Sequence, residues 1–324
     1  IDILKRFDYE KYAVDLLVLF EEGIYFADIP EEVSWFFPGS EKVKNRFYDI
    51  EVAFLEGLAV KYIAERGSVA VKIAWVHIDL YNFHWTKSFY KSDEHEYEVY
   101  QKMNKIIFVT ENIKRQFERL FGGIHAELLV IHNFIDQSDL LKKSEGYKVS
   151  KRKFTLCSIG RLTPMKGYLL LIQTVHRLVD DGLDFDLWIV GEGEQRMVLE
   201  DLIQERSLSN IVFLQGFHKN PIPFLKEADV FVSSSSVEGF SLVIGEALCL
   251  GKPVVATKNA GSEEVLDGGK YGMLIEQGDD FLYKALKNVI QSESLRFDLR
   301  SKAFERSGWF DVSKAMDKIY NVFQ

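Results

Sequence analysis

The sequence is poor in cysteine, with two in 324 residues, and in proline, with six. Two thiols cannot form a disulfide framework. Cys157 falls in an apolar strand-like run and Cys249 on the apolar side of a helix-like run, so both read as small buried hydrophobes. A reducing, cytoplasmic compartment is expected. No apolar run approaches the roughly 20 residues that span a bilayer, and no secretory leader is visible. Positive charge is not in excess: the formal net charge is −9, so the overall balance offers nucleic acid no attraction. Basic residues do gather at Lys142, Lys143, Lys148, Lys151, Arg152 and Lys153, where a solvated linker is the simplest account.

What is present in quantity is apolar residue, 47% of the chain. A chain of this length suggests about two domains, each large enough to bury a core. The second half alternates short apolar runs with longer amphipathic ones, the pattern of βαβ units around a parallel sheet. Strands are expected at 154–159, 185–190, 211–214, 229–233 and 253–257, and helices at 168–180, 195–206, 222–227 and 242–250. Runs apolar throughout, such as Val230-Phe231-Val232, belong where helices cover both sheet faces. The first half repeats the theme less cleanly, with strands at 14–20, 71–76, 105–109 and 128–131 and helices at 57–65, 87–103 and 111–120. The polar stretch 142–153 marks the expected domain junction, and residues 309–323 carry helical apolar spacing.

Two segments bear chemistry. Gly160-Arg161-Leu162-Thr163-Pro164-Met165-Lys166-Gly167 follows a buried strand and precedes a helix, which places it at the ligand-binding edge of a parallel sheet. Arg161 offers a planar fork to phosphate oxygens and Lys166 a movable point charge. The bland alternative is a strand-to-helix loop with a solvated cation. Ser236-Val237-Glu238-Gly239-Phe240-Ser241-Leu242-Val243-Ile244-Gly245-Glu246 likewise runs from strand end into helix, near Phe240. Free N–H groups at that helix start suit an anion. Glu246 falls roughly two turns inside among apolar neighbours, where a carboxylate needs donors such as sugar hydroxyls, or a local cation.

These residues carry a resemblance. Glu238 and Glu246 with seven residues between them, together with Gly160-Arg161…Lys166-Gly167, resemble the retaining glycosyltransferases of the GT-B fold, family 4. Ile131-His132-Asn133-Phe134-Ile135-Asp136, Val190-Gly191-Glu192-Gly193 and Gly251-Lys252-Pro253 followed by Gly261 and Glu264 are similar to further motifs of that family, in order. The resemblance implies an α/β architecture of two Rossmann-like domains facing across a cleft. Residues 1–145 would form the acceptor-side domain and 151–306 the nucleotide-sugar domain, with 309–324 a helix crossing back onto the first. It implies a donor diphosphate on Gly160, Arg161 and Lys166, and a base near Gly191, Glu192 and Phe217. The sugar would lie at Glu238, with the N–H groups of Gly239, Phe240, Ser241, Leu242 and Val243 beside it, and the ribose at Glu246. His77, ending the strand Trp75-Val76-His77, would face the reaction centre, unless it is a satisfied core histidine. Glu238, His77, Arg161 and Lys166 are thus the expected catalytic group.

The partners so implied are a nucleotide-sugar donor, a UDP-sugar first, and a carbohydrate or glycoconjugate acceptor, with peripheral work at the inner membrane face compatible with such acceptors. No metal and no other cofactor are expected; Asp184-Phe185-Asp186 leads straight into a buried strand, and Gly191-Glu192-Gly193 lacks a third glycine, Arg196 standing there. Tyr81, Phe83, Trp85, Phe89 and Tyr90 fit an acceptor wall, a membrane-facing patch or core packing equally. Two departures stand out. Nothing in residues 1–20 matches the family's first strand and Gly-Gly loop, and Phe134 replaces a common glycine. The first departure keeps open a second reading, a catalytically inactive partner subunit of a glycosyltransferase complex.

Overall fold

A computed structural model describes residues 1–20, 23, 25–40, 43 and 46–324. Its strands form three parallel sheets. β1 (Asp15–Leu17) and β2 (Ser34–Phe36) make a small pair. A four-stranded sheet follows in sequence order, β3 (Ile50–Ala53), β4 (Val71–Val76), β5 (Lys105–Phe108) and β6 (Glu127–Val130). The second half supplies β7 (Thr155–Ile159), β8 (Asp186–Val190), β9 (Val212–Gly216), β10 (Val230–Ser233), β11 (Val254–Thr257) and β12 (Met273–Ile275). Their order is β12-β11-β10-β7-β8-β9.

The apolar strands of the second half are buried on both faces: Leu156, Leu187, Ile189, Val230, Val232 and Val255 show no exposure. Burial pushes the Cys157 thiol well up, as expected of an inert core cysteine. The helices cover the sheets by the same logic. Tyr168–Asp180 presents Leu171, Ile172, Val175 and Leu178 to the core, a helical stripe.

Some elements differ from the sequence expectation. The helix expected over 87–103 is a short 3₁₀ turn, Trp85–Phe89, followed by a helix at Asp93–Gln101. Ser92 enforces the break, accepting the His95 N–H ahead of an acidic first turn. Part of the polar stretch is helical: Gln137–Ser144, capped by Asp136, packs on Ile222–Glu227 of the second half. The chain has therefore crossed between the sheets before residue 142. Among the aromatics 81–90, Tyr90 is buried while Trp85 and Phe89 are half-buried and pack edge to face; Tyr81 is the exposed one.

The last helix, Val312–Val322, returns to the first half. Lys105 Nζ donates to the Val322 carbonyl at 2.7 Å, Tyr320 stacks on Tyr12 with centroids 5.7 Å apart, and Met316 and Ile319 join the core that holds Ile73 and Ile106. Ile131 and Phe310 belong to that same core, so one apolar cluster spans both halves beneath the junction.

Candidate functional site

In an open parallel sheet, ligands bind beyond the strand C-termini where the strand order reverses. In the six-stranded sheet that point lies between β7 and β10. The loops 160–167 and 234–241 leave there side by side. The Ser236 N–H donates to the Met165 carbonyl and the Ser234 hydroxyl to the Lys166 carbonyl, each at 2.8 Å. Gly167 adopts a left-handed φ of 67°, and a Cβ on it would stand 2.2 Å from the Ser234 carbonyl oxygen. Only glycine permits both.

Two predicted residues 72 positions apart in sequence meet in this crevice. Lys166 Nζ donates to Glu238 Oε1 at 2.5 Å, and the Ser235 hydroxyl reaches the same oxygen at 2.8 Å. Both members of the pair keep some exposure, 25% and 16%. Arg161 lies exposed on the same loop as Lys166, and its guanidinium has no hydrogen bond or ion pair among the described residues. An exposed fork beside a movable ammonium has the chemistry to pair with phosphate oxygens.

The helix after the second loop runs Leu242–Cys249, starting two residues beyond Phe240. Phe240 is instead buried, its ring stacked 5.9 Å from Trp309, so its side chain is structural. The Leu242 N–H donates to the Phe240 carbonyl, while those of Val243 and Ile244 have no acceptor among the described residues. These are the orphan donors of a first turn. Glu246 therefore sits one turn in, not two. Burial pushes its carboxyl up to about 7, opposed by Lys143 and reinforced by Asp2. Lys143, unremarked in the sequence beyond its place in a basic run, comes from the helix Gln137–Ser144. Neither Arg161 nor Lys166 is among the charges acting on Glu246; the cation pair and the acid mark separate points along the crevice.

The first half meets this loop at His77. Gly239 lies against its backbone: a Cβ on Gly239 would stand 1.5 Å from the His77 carbonyl oxygen. Burial drives the His77 imidazole down to about 4, with the Phe54 backbone acting against that shift. His77 Nε2 is buried and has no hydrogen-bond partner among the described residues. A neutral imidazole with an unsatisfied acceptor nitrogen invites a hydroxyl donor.

The remaining candidates are placed as follows. Gly191, at φ 151°, lets β8 approach Gly160: its Cβ would lie 2.0 Å from the Gly160 carbonyl oxygen. Its glycine thus answers a close backbone contact. The Glu192 carboxylate pairs with Arg196, and its carbonyl accepts the Leu162 N–H at 2.8 Å. Phe217 is exposed just beyond β9. Lys153 bonds Asp184 at 2.5 Å, and Arg152 Nη2 lies 3.3 Å from the buried Asp186, so both carboxylates serve ion pairs. At the junction His132 pairs with Glu264 at 2.8 Å and lies 4.6 Å from the Trp309 ring. Phe134, where the resemblance anticipates glycine, carries the Arg6 guanidinium over its ring. Two cavities, one of about 590 Å³ beside Trp35 and Arg46 and one of about 440 Å³ between Tyr12 and Tyr320, contain none of the candidate residues.

The acid at Glu246 leads to a titration that can be measured. Its folded-state value exceeds the unfolded one, so it costs apoprotein stability as pH rises from about 4.5 toward 7. If it accepts ribose hydroxyls when ionised, UDP affinity rises between pH 6 and pH 8. In calorimetric titrations that rise is expected to be steeper for the wild type than for Glu246→Gln; identical profiles would remove Glu246 from the nucleotide.

Known proteins resemble this chain in sequence and in fold. The family described as glycosyl transferases group 1 matches residues 141–306. A Campylobacter jejuni N-acetylgalactosamine-N,N'-diacetylbacillosaminyl-diphospho-undecaprenol 4-alpha-N-acetylgalactosaminyltransferase is 33% identical over 187 residues, covering 57% of this chain and 50% of that one. The Staphylococcus aureus enzyme TarM, in a variant structure with Fondaparinux, alpha-GlcNAc-glycerol and UDP, is 25% identical at a TM-score of 0.67, over 80% of this chain and 52% of that one. Anabaena HepE, in complex with UDP and glucose, superposes at 0.79 over 94% and 90% with 22% identity, a likeness of fold. The chain spans about half the length of the curated relatives it matches. With its two facing parallel-sheet halves of GT-B type and a family match over half its length, the chain belongs to the glycosyl transferases group 1 family.

Proposed function

We propose that the chain moves a hexose or N-acetylhexosamine from a UDP-sugar to a glycan, lipid-linked or protein-linked acceptor, with retention of anomeric configuration and without a metal. The observation that carries this reading is the crevice between β7 and β10, where the Lys166–Glu238 pair ties together two loops, one carrying Arg161, which has no partner among the described residues, and the other leading into the open first turn at Leu242. The diphospho-undecaprenol named for the Campylobacter relative and the UDP bound by TarM support the substrate classes.

Leaving-group charge develops on the diphosphate as the anomeric carbon becomes cationic. Arg161, Lys166 and the N–H groups of Val243 and Ile244 are preorganised for that charge, an electrostatic form of catalysis. A diphosphate reaching Lys166 takes the ammonium from Glu238, freeing that carboxylate for a sugar hydroxyl. His77, neutral at physiological pH, accepts a second sugar hydroxyl from the other side. Glu246 holds the ribose. The acceptor hydroxyl then attacks from the face the diphosphate leaves, and a donor phosphate oxygen takes its proton. Turnover with UDP-sugar in excess EDTA, with the product linkage read by NMR coupling constants, is expected to give the donor's own anomer at an unreduced rate. An inverted linkage ends the retaining assignment, and loss of turnover in EDTA ends the metal-free one.

A further inference from the structure

The ladder of the four-stranded sheet stops short of His77. The final pairs are Val76 with Phe108 and Ala53 with Ala74, so the His77 N–H lies beyond the last paired residue of β4. Glu56 takes it. This side chain is only 3% exposed, and its two oxygens serve different donors: Oε2 accepts the His77 N–H at 2.8 Å, and Oε1 the Trp85 indole N–H at 3.2 Å. Burial raises its carboxyl, and the His77 and Trp85 hydrogen bonds pull against that rise.

The chemistry of this arrangement calls for a carboxylate. Two N–H groups converge on two oxygens, and a glutamine in the same place offers one acceptor and one NH₂, which must face an N–H. The next residue completes the clamp. Gly57, at φ 80°, accepts the Tyr90 hydroxyl at 3.0 Å, and a Cβ there would meet Thr86 and Phe89 at 3.0 Å. Thr86 and His84 are held in turn by the buried Glu96, both at 2.8 Å. Glu56 thus joins a braced segment, 84–90, to the His77 backbone of the first half, which lies against Gly239.

We infer that Glu56 is a positioning residue for sugar transfer, holding the His77 backbone, and through it the contact with the Gly239 loop, in the register the reaction needs. The inference rests on the reading of His77 as facing the reacting sugar. Its demand is geometric, so a second substitution can restore what the first removes.

The experiment compares wild type, His77→Ala, Glu56→Gln, Trp85→Phe and the double variant Glu56→Gln/Trp85→Phe, in kcat, acceptor and donor KM, and UDP affinity by calorimetry. Glu56→Gln is expected to lower kcat at least tenfold while UDP affinity stays within twofold, because the phosphate-side residues lie on the other half. The double variant leaves the amide oxygen to the His77 N–H alone and is expected to recover kcat to within threefold of Trp85→Phe. Near wild-type kcat in Glu56→Gln overturns the inference, as does a double variant no faster than Glu56→Gln. Equal losses of kcat and UDP affinity also overturn it. If Glu56→Gln does not fold, the comparison of the double variant with Trp85→Phe decides alone: parity supports it and a larger gap overturns it. Unchanged kcat in His77→Ala refutes the underlying site reading instead, which separates the two failures.

Discussion

Arg161→Ala is expected to lower kcat by about 10²–10³, the range for loss of one preorganised donor to a developing anion, with a thermal midpoint near that of the wild type. The guanidinium is exposed and has no hydrogen bond or ion pair among the described residues, so its removal breaks no such bond there, and exposed substitutions of that kind stay within about 0.5 kcal/mol. Lys166→Ala shares the kinetic loss but differs in the resting state. Among the described residues it leaves Glu238 with the Ser235 hydroxyl alone, and the pair is mostly shielded. Steady-state kinetics beside thermal unfolding of both variants checks this split. Turnover near wild type in both would dismiss the diphosphate assignment.

Gly239→Ala is expected to be at least as damaging, for a steric reason. The added methyl would stand 1.5 Å from the His77 carbonyl oxygen, 2.6 Å from its carbon and 3.2 Å from the Ile78 Cα. All three are backbone atoms, so the two halves must separate locally. Displacement of about 1 Å at a reacting centre costs on the order of 10² in rate, and overpacking of this kind costs about 1–3 kcal/mol of stability. Gly308→Ala is the control, since nothing lies within 4 Å of a Cβ there and its φ is −65°. Urea unfolding and kcat of the two variants are expected to diverge clearly. A Gly239→Ala protein with wild-type kcat would mean that the His77 contact has no part in catalysis.

The second half was legible because its strands are buried on both faces, and continuous apolar runs betray that at once. The five expected strands are present with ends that differ by a residue or two, while β12 (Met273–Ile275) was not expected, and Tyr168–Asp180 and Ile222–Glu227 coincide with their expected spans. The first half was harder. β3 escaped notice because Glu51 interrupts its apolar run; in the fold that acid is 6% exposed and faces Arg66 and Ser68. The helix Gln137–Ser144, whose last residues 142–144 read as polar linker, escaped notice because its buried residues are few, Leu140 and Ser144.

Of the site, the sequence placed Arg161, Lys166, Glu238 and Glu246 on loops and helices of the right kind, since a strand–glycine–cation–helix order has a direct geometric meaning. It could not show that Lys166 and Glu238 pair, nor that Lys143 stands by Glu246. Those depend on which strands neighbour which. Glu56 was missed for a related reason: its partners are a backbone N–H and an indole, and neither leaves a spacing signature. Glu192 and Gly191 carry the family motif, yet the side chain of one is tied to Arg196 and the other answers a contact with Gly160.

The most direct test of the whole account is a crystal structure of the UDP complex. The diphosphate is expected between the Arg161 guanidinium, Lys166 and the N–H groups opening the helix at Leu242, with the ribose hydroxyls on Glu246 and the Lys166–Glu238 bond broken. A nucleotide seated elsewhere, or one that leaves that ion pair untouched with Arg161 turned to solvent, would contradict it.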